Sequence, residues 1–285
     1  MNKSIGIILA VVLFLLFSQA YAQQKQDEPK DAKFYFRRGT DYGERGQYDQ
    51  AIADFTKAAE IDPNYASAYY NRGNAYRNKG QYEAAIADYN KAIEIDPKLA
   101  QAYTNRGIAY GQKGQLDQAI ADFTKALEID PKSADAYYNR AIVYAKKSRH
   151  DQAISDYTKA LQVGPKDADT YFHRGIAYGE KGQFDQATDD FTKALEIGSK
   201  GAGPYYYRGM AYMNKGQLDW AIADFTKALE IDPKSTEAYY NRGIAYYFKK
   251  DYDKSWRDIK KAQDLGYKIP SKFLENLRTA SGRQN

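Results

Sequence analysis

The chain has no cysteine, only two histidines, eight prolines and two tryptophans among 285 residues. Without cysteine there is no disulfide, no thiolate nucleophile, no cysteine-held zinc and no lipid-bearing cysteine behind an N-terminal leader. His150 takes the place of an aromatic found at Tyr48, Tyr82 and Phe184, and His173 merely interrupts a column of asparagines. With no recurring Ser–His–Asp grouping either, nothing in the chain is suited to nucleophilic catalysis or a histidine-based metal site. No catalytic residue, metal ion or cofactor is expected, and stability must come from packing alone.

Charge of one sign is also scarce. Lysine and arginine outnumber aspartate and glutamate by 42 to 37, a net +5, but the two signs alternate along the chain. The clustered basic stripe that a phosphate backbone requires is missing, so nucleic acid is not an expected partner. Long apolar runs are limited to Ile5–Phe17, preceded by Lys3 and followed by Ser18-Gln19-Ala20-Tyr21-Ala22. A cationic start, a short apolar stretch and an Ala-x-Ala end make a secretory signal peptide, with cleavage expected after Ala22. The run falls short of the roughly 20 apolar residues that span a bilayer, so no membrane span is expected after cleavage. Residues 23–31 read as a disordered linker, and the location expected is periplasmic or secreted.

What the chain has in abundance is tyrosine, 28 of them, and a period. Gly39, Gly73, Gly107, Ala141, Gly175, Gly209 and Gly243 recur every 34 residues. A tyrosine stands four residues before each, from Tyr35 to Tyr239, and another three residues after each, from Tyr42 to Tyr246. Positions i, i+4 and i+7 lie on one stripe of a helix, and glycine in that stripe lets a partner backbone come close. This first helix ends at Lys-Gly pairs such as Lys79-Gly80, Lys113-Gly114, Lys181-Gly182 and Lys215-Gly216, where glycine takes the left-handed cap and lysine complements the negative helix end. A second amphipathic pattern follows, for instance Leu116, Ala119, Ile120, Phe123, Ala126 and Leu127, and stops at Asp-Pro pairs such as Asp62-Pro63 and Asp130-Pro131.

The unit resembles the tetratricopeptide repeat, whose Trp-x2-Leu-Gly-x2-Tyr, Ala-x3-Phe and Pro pattern has this period. Here it reads Tyr-x2-Arg-Gly-x2-Tyr, with Ala51 and Phe55, Ala119 and Phe123, Ala187 and Phe191, and Ala221 and Phe225 in the later slots. The resemblance implies an all-α, right-handed superhelical solenoid of seven tandem helix-turn-helix repeats, with first helices lining a concave groove. Its repeats would be 32–65, 66–99, 100–133, 134–167, 168–201, 202–235 and 236–268. Phe273, Leu274 and Leu277 share one face of 269–280, a capping helix for the exposed end of the stack, and 281–285 would be a tail.

One step past the first tyrosine column stand Phe36, Tyr70, Thr104, Tyr138, Phe172, Tyr206 and Tyr240. A step of about 100° takes them off the buried stripe toward the concave edge. In the same sector, one residue after the glycine column, lie Thr40, Asn74, Ile108, Ile142, Ile176, Met210 and Ile244. These side chains either line a ligand groove or bridge neighbouring repeats. Two residues before the glycine column come Asn71, Asn105, Asn139 and Asn241, interrupted by Arg37, His173 and Tyr207. An amide both donates and accepts, so such a ladder suits the backbone of an extended peptide, or it joins adjacent repeats. It is similar to the asparagine ladder in the repeat arm of the O-linked N-acetylglucosamine transferase, of which only the arm is matched. Other members of the family grip a C-terminal carboxylate with lysine, but the slots needed hold Tyr70 and Tyr138, which disfavours such a clamp.

Each repeat also pairs an arginine just before the glycine column (Arg38, Arg72, Arg106, Arg140, Arg174, Arg208, Arg242) with an aspartate in the second helix (Asp54, Asp88, Asp122, Asp156, Asp190, Asp224, Asp258). A structural ion-pair ladder is expected, worth about 1 kcal/mol or less per pair if partly exposed. Gly198-Ser199-Lys200-Gly201-Ala202-Gly203-Pro204 lacks both the preceding strand and the Gly-Lys-Ser/Thr order of a phosphate loop. It reads as an inter-repeat loop that has lost its Asp-Pro stop, hence a softer joint. The function expected is a non-catalytic cell-envelope scaffold holding an extended peptide or protein segment. The alternative is a carbohydrate-associated scaffold in polysaccharide export or wall assembly, since tyrosine faces also suit sugar stacking.

Overall fold

The computed structural model describes residues 31–283. The expected signal peptide at 1–22, and all but the last residue of the expected linker, lie outside the described residues. Fifteen helices and no strand occur among the described residues. Seven first helices each have thirteen residues: α1 (Ala32–Glu44), α3 (Ala66–Asn78), α5 (Ala100–Gln112), α7 (Ala134–Lys146), α9 (Ala168–Glu180), α11 (Ala202–Asn214) and α13 (Thr236–Phe248). They alternate with second helices α2 (Tyr48–Ile61), α4 (Tyr82–Ile95), α6 (Leu116–Ile129), α8 (His150–Val163), α10 (Phe184–Ile197), α12 (Leu218–Ile231) and α14 (Tyr252–Asp264). A last helix, α15 (Ser271–Ser281), closes the series. None of these is long and apolar enough to cross a membrane.

The chain forms two compact units that divide inside α6, after Gln118. Within each, a second helix packs on its own first helix and on the next one, and successive first helices are neighbours. The helix starts and stops follow local chemistry. The turns between paired helices place Gly46, Gly80, Gly182 and Gly216 at φ between +71° and +73°, where a Cβ would be strained. Ser148 and Lys250 hold the same place at φ 56° and 64° without that freedom. At the Asp-Pro stops, the aspartate side chain accepts the amide two residues on, as in Asp62 with Asn64 and Asp232 with Lys234, both at 3.0 Å. The turn lysines do more than face a helix end: Lys79, Lys181 and Lys249 pair with Asp49, Asp151 and Asp219 of the preceding repeat, and Lys215 meets Asp185 at 2.6 Å.

The core comes from second helices. Phe55, Tyr89, Tyr157, Phe191, Phe225 and Ile259 are buried, each amid alanines that let helices approach. The glycine column serves these rings. A Cβ on Gly39, Gly73, Gly175 or Gly209 would lie 2.8–2.9 Å from a ring carbon of Phe55, Tyr89, Phe191 or Phe225. Sequence reasoning expected a partner backbone there; the close neighbour is instead a side chain, because the second helix directs its largest ring at the first helix's axis. At the far end Ile259, Ala262, Ile269 and Leu277 form a cluster flanked by Tyr240 and Phe273, so α15 covers the last hairpin.

Candidate functional site

Two faces of the first helices carry the polar and aromatic columns. On one face the arginine column is embedded. Arg174 donates from Nε and Nη2 to both oxygens of Asp190, at 2.7 and 2.8 Å, while its Nη1 donates to Thr158 of the preceding repeat at 2.9 Å. Arg72, Arg140, Arg208 and Arg242 repeat this fork on Asp88, Asp156, Asp224 and Asp258, with Thr56, Thr124, Thr192 and Thr226 as the third partner. Arg106 reaches Asn90, which stands in the threonine column, at 2.6 Å. Arg38 makes the fork on Asp54, but the residue sixteen positions earlier is Ala22 rather than a threonine, and its side chain is 42% exposed against 13% for Arg174.

Arg72, Arg140, Arg174, Arg208 and Arg242 therefore each clip one hairpin shut and tie it to the hairpin before. The aspartates are buried, so the ladder expected from the arginine–aspartate register is present but is not made of partly exposed, weak contacts. Burial pulls the Arg174 guanidinium toward a lower pKa, but the Asp190 hydrogen bonds and charge outweigh it and hold the group above its ordinary value. The two first-helix tyrosine columns collar the guanidinium: Tyr171 and Tyr178 lie 5.5 and 5.8 Å from Arg174, and Tyr205 and Tyr212 lie 5.8 and 5.9 Å from Arg208. Of these fourteen tyrosines only Tyr103 and Tyr171 are fully buried; the rest pack half-exposed over the ladder. The threonines escaped the sequence reading, although they too recur every 34 residues, two positions after the aspartate.

The opposite face holds the asparagines and the second aromatic column, and its members divide. Asn105 donates to the Tyr70 hydroxyl at 2.9 Å and to Asn74 at 2.8 Å, and accepts from Arg77 at 2.9 Å. Asn241, buried, donates to the Tyr206 hydroxyl at 2.9 Å. These two join adjacent repeats. Asn71 and Asn139 donate instead to the carbonyls of Ser67 and Asp135 one turn back in their own helices. For Asn71 the cause is plain, since the residue 35 positions earlier is Phe36, which has no hydroxyl. Phe36, Tyr70, Tyr138, Phe172 and Tyr206 are half-buried, each 5.8–6.1 Å from the core ring of its own second helix. Tyr240 lies 4.8 Å from Tyr267 instead. Burial, with smaller contributions from Tyr207 and Glu237, pushes the Tyr206 phenol up to about 12, so it stays neutral. Ile108, Ile142, Ile176 and Met210 are half-buried beside the glycine column.

Between successive first helices this face opens into clefts at matching places in the two units. One, of about 300 Å³, lies between α1 and α3 and is lined by Thr40, Glu44, Asn71, Asn74 and Asn78 over the Phe55 ring. The other, of about 310 Å³, lies between α9 and α11, four repeats on, and is lined by Ile176, Glu180, Tyr206, Tyr207, Met210 and Asn214 over Phe191. The same backbone thus offers an amide-rich hollow in one unit and an aromatic, aliphatic one in the other.

Helix pairs of this period, with clefts between successive first helices, define a repeat scaffold. The chain belongs to the tetratricopeptide repeat family: the family described as TPR repeat matches residues 39–78, 73–114, 109–148 and 209–249, and tetratricopeptide repeat matches cover 134–167, 168–199 and 236–265. No curated protein matches the chain. Among solved structures it is similar to YrrB, described as a TPR protein with an unusual peptide-binding site, at 30% identity and TM-score 0.58 over 62% of this chain and 92% of that one. MamA is similar at 32% identity and TM-score 0.53, over 57% of this chain and 95% of that one. The C-terminal part of a TPR repeat-containing protein from Cytophaga hutchinsonii, 21% identical, shares the fold at TM-score 0.67 over 82% of this chain and all of its own. Proteins of this family act as protein–protein interaction scaffolds, a fold that is generally non-catalytic.

Proposed function

We propose that this chain is a non-catalytic scaffold of the cell envelope that binds an extended peptide or protein segment in the clefts between its first helices. The observation that carries the reading is the pair of equivalent clefts, each floored by a buried ring and walled by side chains not consumed by the ion-pair ladder. An extended segment has a free amide and carbonyl at every residue, and Asn71 and Asn78 bring matching groups to one hollow, whereas the Asn74 carbonyl is taken by Tyr89 and Asn105. Asn105 and Asn241 serve the stack instead and are not part of the binding surface. Export rests on Lys3, the apolar run Ile5–Phe17 and Ala20-Tyr21-Ala22. YrrB, with its peptide-binding site, supports a peptide as the guest.

The test is binding of unstructured peptides, followed by fluorescence anisotropy, to the chain and to its Asn71→Ala and Tyr207→Ala variants. Loss of binding in both, with unchanged thermal melting, is the expected result. Undiminished binding would refute the assignment of the clefts, and retention of polysaccharide with no peptide binding would favour a carbohydrate scaffold. N-terminal sequencing of the envelope fraction should begin at Gln23; an intact leader on cytosolic protein would refute export.

A further inference from the structure

Gly43-Glu44 and Gly179-Glu180 hold the same place at the ends of α1 and α9, four repeats apart. The other repeats have no Gly-Glu pair there; Arg77-Asn78, Ala145-Lys146 and Met213-Asn214 are three of the replacements. The pair thus occurs in the two repeats whose edges border the two clefts. A Cβ on Gly43 or Gly179 would meet nothing within 4 Å, so these glycines relieve no clash; they leave space beside the cleft. Neither Glu44 nor Glu180 has a side-chain hydrogen bond or ion pair among the described residues. The neighbouring cation Lys181 is no partner for Glu180, since Asp151 holds it.

In the cleft between α9 and α11 this uncommitted carboxylate stands with aromatic rings. Tyr207 is 40% exposed, stacked 6.1 Å from Phe191 and set edge-on to Tyr206 at 5.2 Å. The ring faces carry partial negative charge, and Tyr206, hydrogen-bonded by Asn241, is fixed in place. Rings and a carboxylate around a hollow of side-chain size attract a cation, while Ile176 and Met210 offer apolar contact to an aliphatic stem. We propose that this cleft receives a lysine or arginine side chain from the bound segment, so that the partner is a basic extended peptide. The inference rests on the peptide-binding reading and adds the charge of the guest. A net-basic chain does not attract basic peptides by its overall field, so the selectivity belongs to the cleft.

The experiment uses the whole chain and three labelled, unstructured peptides identical except at three spaced positions, filled by arginine, by its neutral isostere citrulline, or by glutamate. The arginine peptide should bind about tenfold more tightly than the citrulline peptide, with the glutamate peptide weakest. Glu180→Gln should remove most of that preference, whereas Glu230→Gln, on an exposed glutamate outside the cleft, should leave it unchanged. Equal binding of the arginine and citrulline peptides, tighter binding of the glutamate peptide, or a preference that survives Glu180→Gln would overturn the cation site while leaving peptide binding intact. Failure of all three peptides to bind would instead remove the peptide-binding reading and this inference with it.

Discussion

Asp190 is buried, yet it carries a charge, and both its oxygens are taken by Arg174. Removing one partner of such a pair strands the other, so Asp190→Ala should cost about 3 kcal/mol in urea unfolding, far above the value of a surface pair. The double replacement Arg174→Met with Asp190→Leu should cost much less than that single change; equal costs would show that the pair's shape matters more than its charge. Ser148 points the other way. It sits at φ 56° where five other repeats use glycine, so Ser148→Gly should raise stability by about 1 kcal/mol, read as a higher melting temperature. His173 lies against Tyr138 and Phe172, where burial lowers its pKa below the ordinary histidine value while Asp169 and Asp167 oppose this. The folded state then binds fewer protons than the unfolded chain, so stability is complete above about pH 6.5 and declines as pH falls toward the depressed value. His173→Asn, the residue common in that column, should flatten this part of a pH–stability profile. A profile unchanged by the substitution would show that burial of His173 is not its source.

At the scale of helices, the stops differ in how firmly they are tied. Asp232 stops α12 with its side chain on the Lys234 amide and its carbonyl on the Ser235 amide. After α10 that device is replaced by Gly198 at φ 111°, with Ser199 donating to the Ala194 carbonyl, and α11 begins from Gly201 without a side-chain cap. Amide hydrogen exchange should therefore be faster over 198–203 than over 232–236, a comparison made inside one compact unit. Equal protection would show that α10 and α11 hold each other as firmly as their neighbours do. This difference was legible in the sequence, because it lies in glycine and proline placement. The fates of the asparagines were not: the two that bind a neighbour, Asn105 and Asn241, each meet a tyrosine hydroxyl 35 residues earlier, across a helix–helix interface.

Within each unit, contacts run between neighbours in the series, so stability is a sum of hairpins and the joints between them. The ends are treated unequally. Arg38 has no earlier threonine to tie it and is the most exposed of the forked arginines, while the last hairpin is covered by α15 and bonded through Trp256 Nε1 to Ser281. Deleting residues 269–285 should uncover Ile259 and Ala262 and speed exchange in α13 and α14 first; protection unchanged there would deny α15 its role as a cover. By itself the sequence determined the period, the helix limits, the stops and the arginine–aspartate register, because each follows from chain-local geometry repeated every 34 residues. Only the tertiary structure decided that threonines complete the ladder, that Asn105 and Asn241 are spent on packing, and that clefts open beside Glu44 and Glu180. Those outcomes depend on which side chains of separate helices meet, and spacing along one chain does not specify the distance between two helices.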